Sequence, residues 1–468
     1  MKQLSLNLIK ILGLLWVLCQ TAEAGRVTTD PAHTDRKMVL GVDDVLTITA
    51  EEYGGSVYTQ ISADDEAAVC SDGDGDVQTV TFGEGCEGKM VTVTLTLTHT
   101  YEDEEEGEVI CTEGQTFTYE IYVPKLEVEE ISFSGTGNQR IIDASEAIAT
   151  TGNEIASPEW KKGESIQKPV CYKKGSSPTL KIKFSITPDL NSLSKSVKIK
   201  AIASQSGNNL TYQNKDLTLT GTEATLEDHT TTSTLSAIVY KGSFTATWSI
   251  STDSEASNWR TISSTTSTPL LCTWDSPIGP VTKKRLEYWC DKANGKSTVD
   301  SIVTAIGMEA VSGSHFSSAG LGGTTNNAWR ILDGGNGDCR VLALLMHQSL
   351  QLIGVTGSTV VLIYPRHASW NGLEEPDHTK MSEGETGGPS GSYLGYYAPI
   401  VSAQNWNNWE GCCKIGGKYW MGGEGQSVTN AFNVLKHVSG SERATTRQRW
   451  SGAANMLSPI VEWPAGTP

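Results

Sequence analysis

After its first 24 residues, the sequence lacks any apolar run near the ~20 residues that a membrane-spanning helix needs. It also lacks an excess of positive charge, because 36 Lys and Arg residues stand against 54 Asp and Glu residues and give a net charge of -18. Such an acidic surface repels nucleic acid and anionic lipid over most of its area. The sequence therefore predicts a chain with no transmembrane segment and no nucleic-acid partner.

Closely spaced pairs of Cys and His residues, which are typical of zinc sites, are also missing. The vicinal pair Cys412-Cys413 has no C-x-x-C spacing and no His beside it. We therefore expect no metal ion, and no residue pattern calls for an organic cofactor.

The beginning of the chain has the pattern of a secretory signal. Lys2 precedes the apolar run LIKILGLLWVL, and Lys10 lies within it. Ala22-Glu23-Ala24 forms an A-x-A cleavage site. Residues 1 to 24 are therefore predicted to be removed. The expected location is secreted, or periplasmic within the cell envelope.

The cysteine count bears on the compartment. Ten cysteines are present, and removal of Cys19 with the signal leaves nine. In an oxidising compartment an odd number suggests one unpaired thiol, and Cys339 is our candidate for it. Among pairs, Cys272 and Cys290 are the first choice for a disulfide, although sequence alone cannot fix the connectivity.

Two β-rich stretches follow the signal. Residues 25 to 125 contain short runs such as VQTVTF and MVTVTLTLTHTY, in which Val, Ile, Thr and Tyr alternate with period two between turn residues. Residues 126 to 262 contain similar runs, including TLKIKFSI and SFTATWSI. Each stretch is predicted to be an all-β sandwich. The first resembles bacterial immunoglobulin-like modules.

The pattern changes in residues 263 to 468. The run TISSTTSTPLLCTWDSPIGPVTKK is rich in Ser, Thr and Pro and is interpreted as a boundary. Beyond it, helical spacing occurs for the first time, with one or two helices broken near Asn294-Gly295. A buried strand TVVLIY, a hairpin turning at Gly416-Gly417 and a final amphipathic helix SVTNAFNVLKHV are also predicted.

Cys339 has a setting typical of reactive cysteines. It follows the turn-forming run DGGNGD and begins an apolar segment that is predicted to be a helix ending at Gly354. The N-terminus of a helix carries partial positive charge, which favours a thiolate. The segment has almost no polar face, so the helix should be buried and should hold its first residue rigidly. The alternative, that Cys339 is a small apolar residue filling space beside a turn, stays open.

This segment resembles the transglutaminase-like group of papain-related cysteine enzymes. Its motif, G-x-C at a helix start with a closing L-x-x-L-G-[IV], is matched in or near place by Gly337, Cys339, Ala343, Leu350, Leu352, Gly354 and Val355. The family continues with H-x-W…G-K-W-Y…D on strands, and NNWEGCCKIGGKYW is similar to it at Trp409, Gly417, Lys418 and Tyr419. The resemblance spans roughly residues 285 to 440. It implies an α+β transglutaminase-like domain. With the two β-rich stretches, the expected chain is multidomain, with two all-β immunoglobulin-like sandwiches plus that α+β domain.

Two positions of the family motif hold other residues. The histidine position falls on Asn407 or Asn408, and the aspartate position falls near Gly422-Gly423 with Glu424 close by. An asparagine side chain can orient a group by hydrogen bonding but cannot take a proton from a thiol. Asn407 would therefore only orient.

A base would have to come from another histidine. His347 lies eight residues further along the same helix, ~12 Å down its axis, so it is excluded. His367 and His378 lie between the cysteine helix and the hairpin, where a loop can fold over a cleft. Either one is a candidate base, and a solvated surface histidine is the alternative for both.

Three functions are consistent with the sequence. In an enzyme, Cys339 would attack an amide carbonyl of a peptide or protein and form an acyl-thioester that water or an amine resolves. Alternatively, the domain has lost catalysis and serves in a surface protein that binds another cell-surface protein or a glycan. In a third interpretation, Trp406, Trp409, Tyr419 and Trp420 stack on sugar rings, although aromatics on a hairpin usually pack in a core.

Overall fold

The computed structural model describes residues 26 to 31, 35 to 51, 56 to 71, 75 to 102, 109 to 111, 115 to 253, 255 to 262, 264 to 321, 325 to 364, 410 to 429, 434 and 461 to 464. Most of the regular structure in these residues is β-strand, arranged in several separate sheets. The described cores form three hydrophobic clusters along the chain.

The first part of the chain forms two sheets around one core. Its strands are β1 (Arg26–Asp30), β2 (Lys37–Val39), β3 (Val45–Glu51), β4 (Ser56–Ala63), β5 (Ala68–Cys70), β6 (Val77–Phe82), β7 (Lys89–Glu102), β8 (Val109–Cys111) and β9 (Gln115–Val123). One sheet has the order β1-β3-β6-β5, and the other has the order β2-β9-β7-β4 with β8 paired to β7. The predicted alternation is confirmed in β7, where Val91, Val93 and Leu95 are buried between partly exposed threonines.

A second pair of sheets follows directly, since only Pro124 separates β9 from the next strand. The strands are β10 (Lys125–Ser134), β11 (Asn138–Gln139), β12 (Trp160–Lys161), β13 (Val170–Lys173), β14 (Thr179–Thr187), β15 (Ser194–Gln205), β16 (Asn208–Thr220), β17 (Glu223–Thr230), β18 (Tyr240–Ser251), β19 (Arg260–Thr261) and β20 (Thr266–Thr273). The orders are β12-β10-β14-β17 and β11-β13-β20-β18-β15-β16, with β19 paired to β18. Between the sheets, Phe184 meets Trp248 edge to face at 6.4 Å.

Strand β20 lies inside the segment that the sequence suggested was a boundary. It pairs in parallel with β13 and antiparallel with β18, so this sheet continues to Thr273. The physical reason is that threonine, which gives the segment its linker-like composition, is also favoured in strands. Buried Leu270 and Cys272 anchor β20 in the core of the second pair of sheets.

The last part of the chain combines helices with a further sheet. Its elements are α1 (Lys283–Lys292), α2 (Val299–Ala310), β21 (Phe316–Leu321), α3 (Thr325–Arg330), α4 (Cys339–Leu352), β22 (Thr359–Tyr364), β23 (Glu410–Ile415), β24 (Lys418–Met421), β25 (Ser427–Val428) and β26 (Val461–Pro464). The sheet order is β25-β24-β23-β22-β26. Helix α4 packs on β22 and β23 and also contacts α2 and α3.

The predicted helix break and hairpin turn are confirmed. Gly295 has a φ of 76° between α1 and α2, a conformation that favours glycine. Thr298 then starts α2 with a capping box that it shares with Ser301. Gly416 and Gly417 both have positive φ and join β23 to β24, which is the geometry of a two-residue hairpin loop.

The predicted final helix differs at its start. Ser427 and Val428 form β25, which pairs with Tyr419 and Trp420 of β24. Of the remaining positions to Val438, only Thr429 and the helical Val434 belong to the described residues.

The expected Cys272–Cys290 disulfide is absent from this structure, and the two side chains lie on opposite faces of strand β20. Side chains alternate between the two faces of a strand. Cys272 points into the core between the second pair of sheets, whereas Cys290 belongs to the cluster on the opposite face of the sheet, under α1. The backbone of β20 therefore separates the two sulfurs.

Within the described part of the chain, no helix has both the length and the apolar character required to cross a membrane.

Candidate functional site

The loop before α4 delivers Cys339 to the first position of a helix. Gly334 adopts the left-handed conformation with a φ of 90°, which lets the chain turn after Asp333. At Gly337 the backbone passes close to Val341, where a β-carbon would lie 2.6 Å from a valine methyl. Asp338 is the N-cap, and its carboxylate accepts a hydrogen bond from the backbone N–H of Val341 at 2.8 Å.

Helix α4 is buried almost all round, as the sequence predicts. Eleven of its fourteen residues are buried, among them Leu342, Leu345 and Met346 with no exposed surface. A helix in this position cannot tilt without disturbing the core, so its first residue is held rigidly.

The thiol of Cys339 lies inside the domain. Cys339 is only 1% exposed, and its Sγ accepts a hydrogen bond from the backbone N–H of Gly411 at 3.3 Å. That donor comes from β23, 72 residues further along the chain. The sulfur therefore has a polar neighbour in the backbone of the hairpin, but it is not open to solvent.

Two glycines of the hairpin close over Cys339. A β-carbon on Gly411 would lie 2.7 Å from the backbone of Arg340, and one on Gly422 would lie 2.2 Å from the carbonyl oxygen of Cys339. These two positions are held together because the N–H of Gly422 donates to the carbonyl of Gly411 at 3.2 Å. Only residues without a side chain allow the strands to come this close to the start of the helix.

The other residues expected in a catalytic set, Asn407, His378 and His367, lie outside the described residues. Near the expected aspartate position, Gly422 contacts Cys339 while Glu424 is exposed in the turn after β24.

His347 is engaged elsewhere, which agrees with its exclusion as the base. Its Nδ1 lies 2.8 Å from the hydroxyl of Ser358, in the loop that precedes β22. Burial lowers the pKa of His347 below its usual value, so the ring is neutral at pH 7.

The described aromatic residues of the hairpin belong to the core. Tyr419 and Trp420 are 6% and 4% exposed, and the ring of Trp420 lies so close to Gly307 of α2 that a β-carbon there would be 2.5 Å from it. Neither ring offers a face for a sugar. Trp406 and Trp409 lie outside the described residues.

Sequence reasoning missed the residues that define the geometry around Cys339. Gly411 was noted only as part of the hairpin segment and Gly422 only as lying near the family's aspartate position, yet both determine how closely the hairpin packs on α4. A glycine at both ends of a hairpin is a signal of close backbone approach. The partner that each glycine would meet cannot be read from the sequence.

Among the residues that the structure describes, no group of three or more His, Cys, Asp or Glu side chains is arranged to hold a metal ion. The site is thus a buried thiol at a helix N-terminus, with one backbone N–H directed at the sulfur. Such an arrangement stabilises charge on sulfur, but chemistry there also requires access and a proton acceptor.

The chain was compared with known proteins at three levels. No family model and no curated protein match it. Solved structures that match include the three N-terminal domains of the Highly Immunogenic Outer Capsid protein (Hoc) of bacteriophage RB49, with 9% identity, 53% of this chain and 69% of that chain covered, and a TM-score of 0.24. The titin fragment A168169 matches with 10% identity, 50% of this chain and 94% of that chain covered, and a TM-score of 0.15. Both TM-scores are too low to assign a fold. The structure itself shows a chain that is mostly β-strand and is arranged in several sheets.

Proposed function

We propose that this chain is an exported, multidomain surface or envelope protein whose last domain is transglutaminase-like in descent and no longer catalytic. In this proposal Cys339 is a packing residue of the domain. The two preceding β-sandwiches are immunoglobulin-like modules, and the whole molecule binds a partner protein or a glycan at the cell surface.

The observation that carries the proposal is the burial of Cys339. A nucleophile must come within about 3 Å of the carbonyl carbon that it attacks. Cys339 is only 1% exposed, so its sulfur cannot reach a peptide bond in this conformation. The backbone N–H of Gly411 lies 3.3 Å from the sulfur, and backbone cannot swing aside as a side chain can.

Further support comes from the residues found at the family's catalytic histidine and aspartate positions. The family position for histidine holds Asn407 or Asn408, and the position for aspartate holds glycine at the point of contact with Cys339. The features that match the family are those that build the fold: Gly337 before the helix, the apolar α4 and the hairpin that turns at Gly417. Retention of structure with loss of proton-transfer groups is the pattern expected of a domain that has lost catalysis.

The test is turnover that depends on Cys339. The purified full chain and its Cys339→Ala variant are incubated with a peptide-amide library and with a labelled primary amine plus a glutamine-bearing protein. Mass spectrometry follows hydrolysis and amine incorporation. We expect no product above the level of the Cys339→Ala variant. Product that forms with the wild-type chain and is absent with the variant would contradict the proposal.

A second candidate is a cysteine-dependent amidase or acyl transferase, and one observation favours it. The backbone N–H of Gly411 donates to the sulfur at the first residue of a 14-residue helix, where a thiolate is stabilised. This function additionally needs an imidazole from His367 or His378 and an opening of the hairpin. In the same assay it predicts product that is lost in Cys339→Ala and in one of the two variants His367→Gln and His378→Gln, but not in the other.

A further inference from the structure

Three buried cysteines meet where the second pair of sheets contacts the helical part of the chain. Cys171 lies on β13, Cys272 on β20 and Cys290 on α1, and each is at most 1% exposed. The sheet is covered on both faces here. Val170 and Tyr172 point to the core between the second pair of sheets, whereas Cys171 points to the cluster formed with the helices.

Cys171 and Cys290 therefore share one face, and Cys272 lies on the other. Cys272 accepts a hydrogen bond from the side chain of Gln205 at 3.4 Å within the core of the second pair of sheets. Leu271, the neighbour of Cys272 on the helix-facing side, pairs in register with Cys171. Strand alternation therefore puts Cys171, and not Cys272, on the face of the sheet that Cys290 packs against.

Contacts with backbone carbonyls locate both sulfurs beside the neighbouring strands β13 and β20. Sγ of Cys171 lies 3.9 Å from the carbonyl oxygen of Tyr172, and Sγ of Cys290 lies 3.7 Å from the carbonyl oxygen of Cys272. Tyr172 and Cys272 are direct partners in the parallel ladder between β13 and β20. Neighbouring strands are ~4.8 Å apart, so both sulfurs lie over adjacent backbone positions on the same face.

We propose that Cys171 and Cys290 form a disulfide when the chain folds in an oxidising compartment. The bond joins the second sandwich covalently to the first helix of the last domain. The two S–H bonds break and one S–S bond forms. The oxidant is a small-molecule or protein disulfide, which takes up two electrons and two protons and leaves as two thiols. The proposal does not depend on whether Cys339 is catalytic.

The bond should form during folding and not afterwards. Burial raises the pKa of Cys171 and of Cys290 above the ordinary thiol value, so neither forms a thiolate readily in the folded chain. Both sulfurs are also out of reach of an external disulfide once α1 has packed. An oxidant added to the folded, reduced protein is therefore expected to leave this pair unchanged for hours.

The experiment uses the full chain, reduced and unfolded in denaturant and then refolded with oxidised and reduced glutathione. The product is denatured, alkylated without reductant, digested with trypsin and mapped by mass spectrometry. We expect residues 163 to 173, which contain Cys171, to be linked to residues 286 to 292, which contain Cys290. The linked species is lighter than the two peptides together by two hydrogen atoms, and it disappears on reduction.

Two variants keep the test decisive. Cys272→Ala should retain the same linked peptides, and its denaturation midpoint should rise on oxidation as it does in the parent chain. Cys171→Ala should lose both the linked peptides and the rise of the denaturation midpoint on oxidation. Recovery of alkylated Cys171 and Cys290 from the oxidised parent, or a link from Cys290 to the Cys272 peptide, would overturn the proposal.

Discussion

Backbone contacts hold Cys339 in place. The N–H of Gly411 donates to its sulfur, and Gly422 lies against its carbonyl oxygen. Because both contacts come from residues that have no side chain, the packing here depends on glycine as strictly as it depends on the cysteine.

Gly422→Ala is predicted to destabilise the packing of the hairpin on α4 by about 3 kcal/mol, since the new β-carbon would lie 2.2 to 2.6 Å from the backbone of Cys339, which cannot move aside. Urea denaturation monitored by far-ultraviolet circular dichroism, which reports on all the sheets, measures the change. Gly75→Ala is the matched control, because a β-carbon there has only ordinary contacts at 3.9 Å or more. Equal effects of the two substitutions would contradict this packing.

His229 gives a prediction about pH. It is 2% exposed and stacks on Tyr212 with ring centroids 5.2 Å apart. Burial is the main cause that lowers the pKa of His229 from 6.5 to about 4, so the folded chain holds the ring neutral. As the pH falls from 6.5 towards 4, the unfolded chain takes up a proton first, and stability is lost over that window.

The size of this loss is on the order of 2 kcal/mol. Urea denaturation at pH 7 and at pH 4.5 measures it, and His229→Gln should have a smaller difference between the two pH values than the parent chain. An equal difference in both proteins would show that His229 does not titrate as inferred.

For single residues, the local sequence predicted the position of Cys339 in its helix well but did not predict the solvent exposure of its sulfur. The run DGGNGD correctly predicts that Cys339 starts a helix, since turn and capping preferences act within a few residues. Whether the sulfur is open to solvent depends on Gly411, 72 residues away. No periodicity or spacing contains that contact.

Among the elements, α4 depends on its cap. Asp338→Ala is predicted to cost about 1 kcal/mol, because the N–H of Val341 loses its acceptor at the start of a buried helix. Asp338→Asn is the control, since its amide oxygen can still accept that hydrogen bond. Urea denaturation compares the two variants. A loss as large for Asn as for Ala would mean that charge at the helix N-terminus matters more than the hydrogen bond.

Elements with a strong local pattern were predictable, and those whose composition was ambiguous were not. Strands β7 and β14 followed from period-two alternation, and the break between α1 and α2 followed from Gly295. Strand β20 did not, because Thr occurs in linkers and in strands alike, and its pairing with β13 is a long-range contact. The start of the predicted final helix is strand β25 instead. Its pairing with β24 is also a contact between separate segments, and it outweighs the helical periodicity of the sequence.

At the scale of the whole molecule, the first and second pairs of sheets are joined by a polar contact. Asp44 accepts hydrogen bonds from Lys195 and from Thr252, both at 3.2 Å, and Arg260 pairs with Glu87 at 2.5 Å. These groups are partly buried, so their attraction is screened less than that of exposed pairs.

The double variant Lys195→Met and Arg260→Met is predicted to loosen this junction without unfolding either pair of sheets. Small-angle X-ray scattering should show a broader distribution of interatomic distances. Lys198→Met is the control, since Lys198 pairs with Asp216 within the second pair of sheets at 2.8 Å. Scattering that is unchanged in the double variant would contradict a role for these ion pairs in orienting the sheets.

The three predicted domains at residues 25 to 125, 126 to 262 and 263 to 468 stay a prediction. The three hydrophobic clusters are consistent with three cores, but the second and third share one sheet, whose two faces belong to different clusters. A boundary inferred from composition cannot detect a sheet that serves two cores at once.

The most direct test of the central claim is the rate at which iodoacetamide labels Cys339 in the folded chain between pH 6 and pH 9, read at the level of the tryptic peptide. The same chain in denaturant supplies the reference rate. We expect labelling in the folded chain to be at least about 100-fold slower than in the unfolded chain at every pH, because a buried sulfur reacts only through openings that cost ~3 kcal/mol or more. Rapid labelling of the folded chain at pH 6 would show a reachable, activated thiolate and would contradict a purely structural role for Cys339.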